Sequence, residues 1–415
     1  MYTFRLPRIL ICFILLTAFA GCGKQALRQG PWLGVIIPDS TQPAMTVNFN
    51  MNLNTDATGT QLIEITNAGE KIAVTEVRLS ADSIIFSLPV FSSQVYAVIK
   101  GDSMIGKYYP KGKGENRVYR FYALAGVTDR FPKDTIAPVA NVSGRWAFTE
   151  NPGTADQSVD VGEFVQEGSL VKGTILTTTG DYRFLEGKVS GKDFMVSCFD
   201  GAHSMIFRAE INPEGNLING LLIGSPSWKT PWTAMRNDSI QLPPSEKLVW
   251  IKEGASTLNF SLPDLNGNMV SPLDERFKGK VLIIQALGSW CPNCMDETRM
   301  YNDLYKKYNA QGLEILALSF ETSDFEKSKK RMQRFIEQTG AAYTFLWAGE
   351  TSRDNRAKLL SGIEGQMAYP TTIFVDRKGN MRKVDTGFSG PGTGVYYEKL
   401  ILQTEEYIQT LLSEK

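Results

Sequence analysis

Trp290-Cys291-Pro292-Asn293-Cys294 constrains this chain more than any other stretch, because of what stands on either side of it. Val281–Leu287 before it is a nearly continuous apolar run, as expected of a central strand buried on both faces. After it, Met300, Leu304 and Tyr308 recur at helical spacing and make one apolar stripe. The cysteine pair therefore sits at a strand-to-helix junction. Unpaired N–H groups and the positive end of the helix dipole stabilise a thiolate there. Cysteines so placed titrate at roughly 3.5–7.5 instead of about 8.5. Cys291 is expected to be the exposed nucleophile and Cys294, one turn on, the covered resolving thiol. Exchange would pass through a mixed disulfide.

Around this junction strands and helices alternate. Leu313–Ser319 reads as a second buried strand, and Phe325–Gln338 as an amphipathic helix stopped by Gly340. Tyr343–Trp347 and Thr371–Val375 are further strands, Arg377–Asn380 is a hairpin turn, and Tyr397–Leu412 is a closing helix. The order is β-α-β-α-β-β-α. Half of a zinc site is one alternative for the pair, but a structural site needs four ligands. Outside the pair only Cys198 and the single histidine, His203, are on offer, both distant, so no metal is expected. A purely structural disulfide is the other alternative.

The N-terminus bears on the compartment. Arg5 and Arg8 precede an apolar run, Ile9–Ala20, that stops at Gly21. That is the length of a signal peptide, short of the about 20 residues a spanning helix needs. Phe19-Ala20-Gly21-Cys22 looks like a bacterial lipobox. Residues 1–21 are expected to be removed and Cys22 lipidated, with residues 22–30 as a polar tether; an ordinary cleaved signal is the alternative. Several acyl chains give the stable attachment that one does not, placing the chain in the cell envelope, facing the periplasm. Cys12 leaves with the signal, so Cys198, Cys291 and Cys294 remain, too few for a disulfide-stapled scaffold. A close pair in an oxidising compartment points to redox chemistry. Net charge is zero with acids and bases mixed, which gives no reason to expect nucleic acid.

From Trp32 to about Trp232 the pattern is β. Gln61–Thr66, Ile72–Leu79, Ile84–Leu88 and Val95–Lys100 are rich in β-branched and aromatic residues and broken by turn formers. The expected fold class is a β-rich N-terminal region, a sandwich or barrel, followed by an α/β domain. Glu76-x-Arg78-Leu79-Ser80 with Ser87 aligns with Glu186-x-Lys188-Val189-Ser190 with Ser197, and Trp32 aligns with Trp146. These matches point to a duplication, either two β modules, 31–130 and 140–242, joined by Thr128–Val142, or one sandwich or barrel built from two halves; chance similarity among β-strands is the alternative. Residues 243–254 read as a linker to an α/β domain over 255–415. Cys198 reads as a small buried core residue and His203 as a turn residue.

The stretch from about Gly254 to Lys415 resembles the TlpA/ResA-type thioredoxin-like proteins, which are membrane-tethered disulfide oxidoreductases. Phe260-Ser261-Leu262-Pro263-Asp264 with Gly267 looks like the family's leading hairpin, and Lys278-Gly279-Lys280 precedes the central strand as usual. Trp290–Cys294 matches the active site, and Tyr369-Pro370-Thr371-Thr372-Ile373-Phe374-Val375-Asp376 with Gly379 resembles the strand beginning at the family's cis-proline. The resemblance implies a thioredoxin fold and a protein-disulfide oxidoreductase, more a reductase than an oxidant, with no soluble cofactor. Partners would be client proteins with disulfides or thiols, apocytochromes c among the candidates, and a membrane electron donor of the DsbD or CcdA type. Glu297, three residues past Cys294 and on the same helix face, would accept the proton of the buried thiol; the alternative is a favourable acid in the first helical turn. Trp290, Pro292, Tyr369 and Pro370 would form the docking surface beside Cys291. The chain departs from the pattern at Gln285, where many thioredoxins bury an acid, at Ala286 and Leu287 in place of aromatics, and at Arg299 in place of a kinking proline. Two other functions compete. A peroxiredoxin-like peroxidase normally carries Thr three residues before its cysteine, where Gly288 stands here. The other is a surface binding lipoprotein whose β region carries the main role.

Overall fold

The computed structural model describes residues 27–89, 91, 93–110, 117–131 and 136–414. The expected signal segment and Cys22 lie outside them. No described helix is long and apolar enough to cross a membrane.

Nine strands between Gly30 and Ala125 form the first sheet. Its first strand, Gly30–Ile37, pairs with Val47–Thr55 on one side and with the last strand, Tyr119–Ala125, on the other. Alternate residues along it, Trp32 and Ile36 among them, turn inward and are buried. The stretch Ile72–Leu79, expected as one strand, is divided between two, Glu70–Val74 and Glu76–Ser80. These are the two opposite edges of the sheet, with Thr75 alone between them. A sheet whose edges are joined by one residue must curl until they approach, so it is barrel-like.

The second sheet runs from Gly144 to Arg236 and likewise sets its first strand beside its last. Here eight antiparallel strands pair in a closed ring, because Gly144–Glu150 bonds to both Ser158–Glu167 and Trp228–Arg236, and Ser158–Glu167 in turn bonds to Leu170–Thr177. Closure removes exposed strand edges. Trp146, Phe148, Phe194, Phe207 and Trp232 fill the interior. Trp32 and Trp146 hold matching places: each indole N–H donates to the carbonyl four residues back, Arg28 at 3.0 Å and Val142 at 2.9 Å. Arg130, from the stretch between the sheets, is buried against both. It donates to Asn67 and to the Ser197 hydroxyl (2.9 Å) and pairs with Glu186 at 3.3 Å.

The C-terminal region is built on five strands in the order Thr344–Glu350, Leu313–Glu321, Val281–Leu287, Thr371–Val375, Met381–Thr386. The first three are parallel and the last two antiparallel to their neighbours. Every residue of Val281–Leu287 is buried, with an apolar cluster on each face of the sheet. Helices Pro292–Tyr308, Phe325–Thr339 and Val395–Ser413 cover it. The helix Arg353–Leu359 was not expected. It buries none of its residues, so it carries no apolar stripe to read, and only the Ser352 cap at its start marks it. Part of the expected linker is also ordered: Val249–Ile251 pairs with Ile363–Gly365.

Candidate redox site

Cys291 caps the helix Pro292–Tyr308, and Pro292 takes the first helical position, where its missing N–H costs nothing. The Cys294 N–H donates to the Cys291 sulfur at 3.2 Å. The two cysteines form a disulfide with Cα atoms 5.2 Å apart, well inside the usual range of about 4.4–6.8 Å. Across from them the Tyr369–Pro370 peptide bond is cis, and the Tyr369 carbonyl oxygen lies 3.5 Å from the Cys291 sulfur. Trp290 is fixed by its indole N–H donating to the Phe320 carbonyl (3.0 Å) and by edge-to-face contact with Tyr369. The helix runs unbroken through Arg299, which pairs with Asp296 at 3.4 Å.

Cys294 is fully buried, and Cys291 is not the open surface thiol the sequence suggested: it is 5 % exposed. Its remaining opening faces a cavity of about 850 Å³. Trp290, Pro292 and Tyr369 form one wall of that cavity, and Tyr108, Asp181, Arg183 and His203 of the β region contribute the other. Phe91 and Ala202, from loops of the two sheets, pack into the same apolar cluster as the cysteines.

The β region grips the active-site turn through charges. Arg183 pairs with Asp296, two residues past Cys294, and with Glu70 of the first sheet, and its guanidinium reaches the Pro292 carbonyl at 3.4 Å. Asp181 accepts from the Gly390 N–H at 2.6 Å, and its carbonyl accepts from the Asn293 amide at 3.4 Å. Burial raises the Asp181 carboxyl to about 6 against the Gly390 hydrogen bond and the nearby charge of Arg183. A Cβ at Gly180 would strike the Asn293 amide, so glycine leaves room for that side chain beside the β region. Breaking a buried ion pair by removing one partner typically costs about 3–5 kcal/mol. Nothing in the sequence marks Asp181 or Arg183, since Arg183 meets partners 113 residues away in both directions. His203 does more than turn the chain. It pairs with Asp200 at 3.0 Å and stands edge-on to Phe91. Cys198 is buried, and burial pushes its thiol up to about 12.

Glu297 lies deep beneath the turn. It is 4 % exposed, and its carboxylate accepts from the Gln285 amide at 2.7 Å and the Thr372 hydroxyl at 2.9 Å. Burial outweighs both bonds and raises it to about 8. Gln285, read as a departure, thus bridges Glu297 to the Tyr343 hydroxyl (3.0 Å), which donates to its carbonyl oxygen. A carboxyl so raised can hold or take a proton near neutral pH.

The AhpC/TSA family profile matches residues 254–384. The chain is 30% identical over 143 residues to the thioredoxin-like protein YneN of Bacillus subtilis (strain 168), which covers 34% of this chain and 76% of that protein. It is 29% identical over 134 residues to the thiol-disulfide oxidoreductase ResA of Geobacillus thermodenitrificans (strain NG80-2), covering 32% of this chain and 69% of that one. Among solved structures it is similar to a thiol:disulfide interchange protein of the thioredoxin family from Chlorobium tepidum TLS. There the identity is 16% and the TM-score 0.30, over 42% of this chain and all (100%) of the other.

Proposed function

This chain belongs, through its C-terminal region, to the TlpA/ResA-type thioredoxin-like family and is a protein-disulfide oxidoreductase; from that premise we propose that it acts as a disulfide reductase held by lipid on Cys22 at the periplasmic face of a membrane. The Cys291 thiolate attacks a client disulfide, one client sulfur leaves as a thiolate, and a mixed disulfide forms. Cys294, its proton taken up by Glu297, then attacks the Cys291 sulfur. The client leaves with both sulfurs reduced, and the chain is left with its own disulfide. Trp290, Pro292, Tyr369 and Pro370 seat the client segment, and a membrane donor of the DsbD or CcdA type restores the dithiol. The observation that carries this reading is the Cys291–Cys294 disulfide at a helix N-terminus, 3.5 Å from the Tyr369 carbonyl.

In Cys294→Ser the first attack still occurs and the second does not. Purified from envelopes, this variant is expected to carry clients joined to Cys291 that dithiothreitol releases. Recovery of no more mixed disulfide than from wild type would sink the reading. The anchor is tested separately: labelled palmitate should enter the wild type and not Cys22→Ala, and equal labelling would remove the lipid from the proposal.

A peroxidase is disfavoured by packing. A Cβ at Gly288 would run into the Trp290 indole, so the threonine of that chemistry does not fit while Trp290 keeps its place.

A further inference from the structure

We propose that the β region and the thioredoxin-fold region together form a cleft for an extended client segment, in which Asp160 and Glu150 receive a lysine or arginine close in sequence to the client cysteine. The proposal rests on the redox reading above and names the substrate class of that site.

Access comes first. Cys291 is covered except toward the cavity of about 850 Å³. That is within the range of about 300–1,000 Å³ that encloses small ligands. A cavity of that size holds a few residues of extended chain, so the substrate proposed is a disulfide in an unfolded or looped segment. The Tyr369 carbonyl, beside Cys291, is placed to accept a backbone N–H from such a segment.

The far wall then supplies the chemistry. Tyr119, Tyr182 and Trp228 offer aromatic surface, and Trp228 is half exposed. Asp160 and Glu150 line the same cavity from neighbouring strands, Ser158–Glu167 and Gly144–Glu150. Glu150 is held by the Tyr182 hydroxyl, which donates to it at 3.1 Å. Asp160 is 5 % exposed, and among the described residues its carboxylate forms no hydrogen bond or ion pair. Burial first, and then the charge of Glu150, push it up to about 7. Buried carboxylates are normally paired, and one that faces a cavity without a partner is complementary to a cation brought by the occupant. The other acids nearby are already engaged: Asp181 by the Gly390 N–H, Asp200 by His203, Asp296 by Arg183.

The test uses the full chain with dithiothreitol as donor, above the pKa of Asp160. The probes are synthetic peptides, each with one internal disulfide, identical except for Lys, Gln or Glu at successive positions from the attacked cysteine. At one position or a pair of adjacent ones, the Lys peptide is expected to exceed its Gln counterpart about tenfold or more in kcat/KM, and the Glu peptide to fall below it. In Asp160→Asn with Glu150→Gln the Lys-to-Gln ratio should collapse toward one. That ratio is independent of how much protein is folded, because a lost fraction scales both rates alike. Equal rates for all three side chains at every position, a ratio that survives the double substitution, or oxidised glutathione outcompeting every peptide would each overturn the cleft. No reduction of any peptide by the wild type would instead overturn the redox reading beneath it.

Discussion

Cys291→Ser is expected to drop disulfide reduction by the full chain to the uncatalysed background while leaving the fold in place. The reason lies in what position 291 does twice. It caps the helix, its sulfur accepting the Cys294 N–H at 3.2 Å. Serine is among the best capping residues, so the helix start survives. The same atom is the proposed attacking group, and only a thiolate has the nucleophilicity and low pKa for that task. Among the described residues no other thiol stands in: Cys294 is fully covered, and Cys198 is buried with its pKa raised to about 12. Insulin reduction with dithiothreitol as donor, beside a circular-dichroism melt, measures both halves. Retained activity in a folded Cys291→Ser chain would place the chemistry elsewhere.

Glu297→Gln is expected to slow resolution of the mixed disulfide by as much as the about 10²–10⁴-fold typical of general acid–base help, leaving the first attack by Cys291 nearly intact. The carboxylate shares a helix face with Cys294 and has been raised by burial to about 8. In the wild type the resolution rate should climb with pH through that value as Glu297 becomes able to take the thiol proton, and in Glu297→Gln that rise should vanish. The amide fits. The Thr372 hydroxyl, now a donor at 2.9 Å, can turn and accept instead, and Gln285 can keep its bond to the remaining oxygen. Stability gives an independent reading. Between pH 4.5 and about 8 the folded chain keeps a proton on Glu297 that the unfolded chain releases, so stability falls as pH rises across that window. The glutamine variant should lack that slope. If the stability slope disappears but the stopped-flow pH–rate profile does not change, Glu297 is a structural acid only.

Gln285 and Cys291 show how far local reading goes. The position of Gln285 in a buried strand was plain, since all of Val281–Leu287 is apolar but for it. Its partners were not: Glu297 and Thr298 come from the following helix and Tyr343 from much further along the chain. Cys291 was legible as the leading thiol, because a helix start, a proline and a cysteine three residues on are local facts. Its covering was not, because Phe91, Ala202 and Arg183 reach the turn from far away.

The sequence by itself determined the elements whose cause is local: the alternating strands and helices of the C-terminal region, the β character before it and the cysteine pair at a helix start. Each follows from a period, a cap or a turn former within a few residues. Only the tertiary structure decided that Ile72–Leu79 is cut at Thr75, since an uninterrupted β-like pattern does not record that its halves bond to opposite edges of one sheet. Only the tertiary structure hid Cys291, brought Arg183 to Asp296 and opened Asp160 to the same cavity. These depend on how the curled sheets dock on the active-site turn, and docking joins residues more than 100 positions apart, which no local pattern encodes.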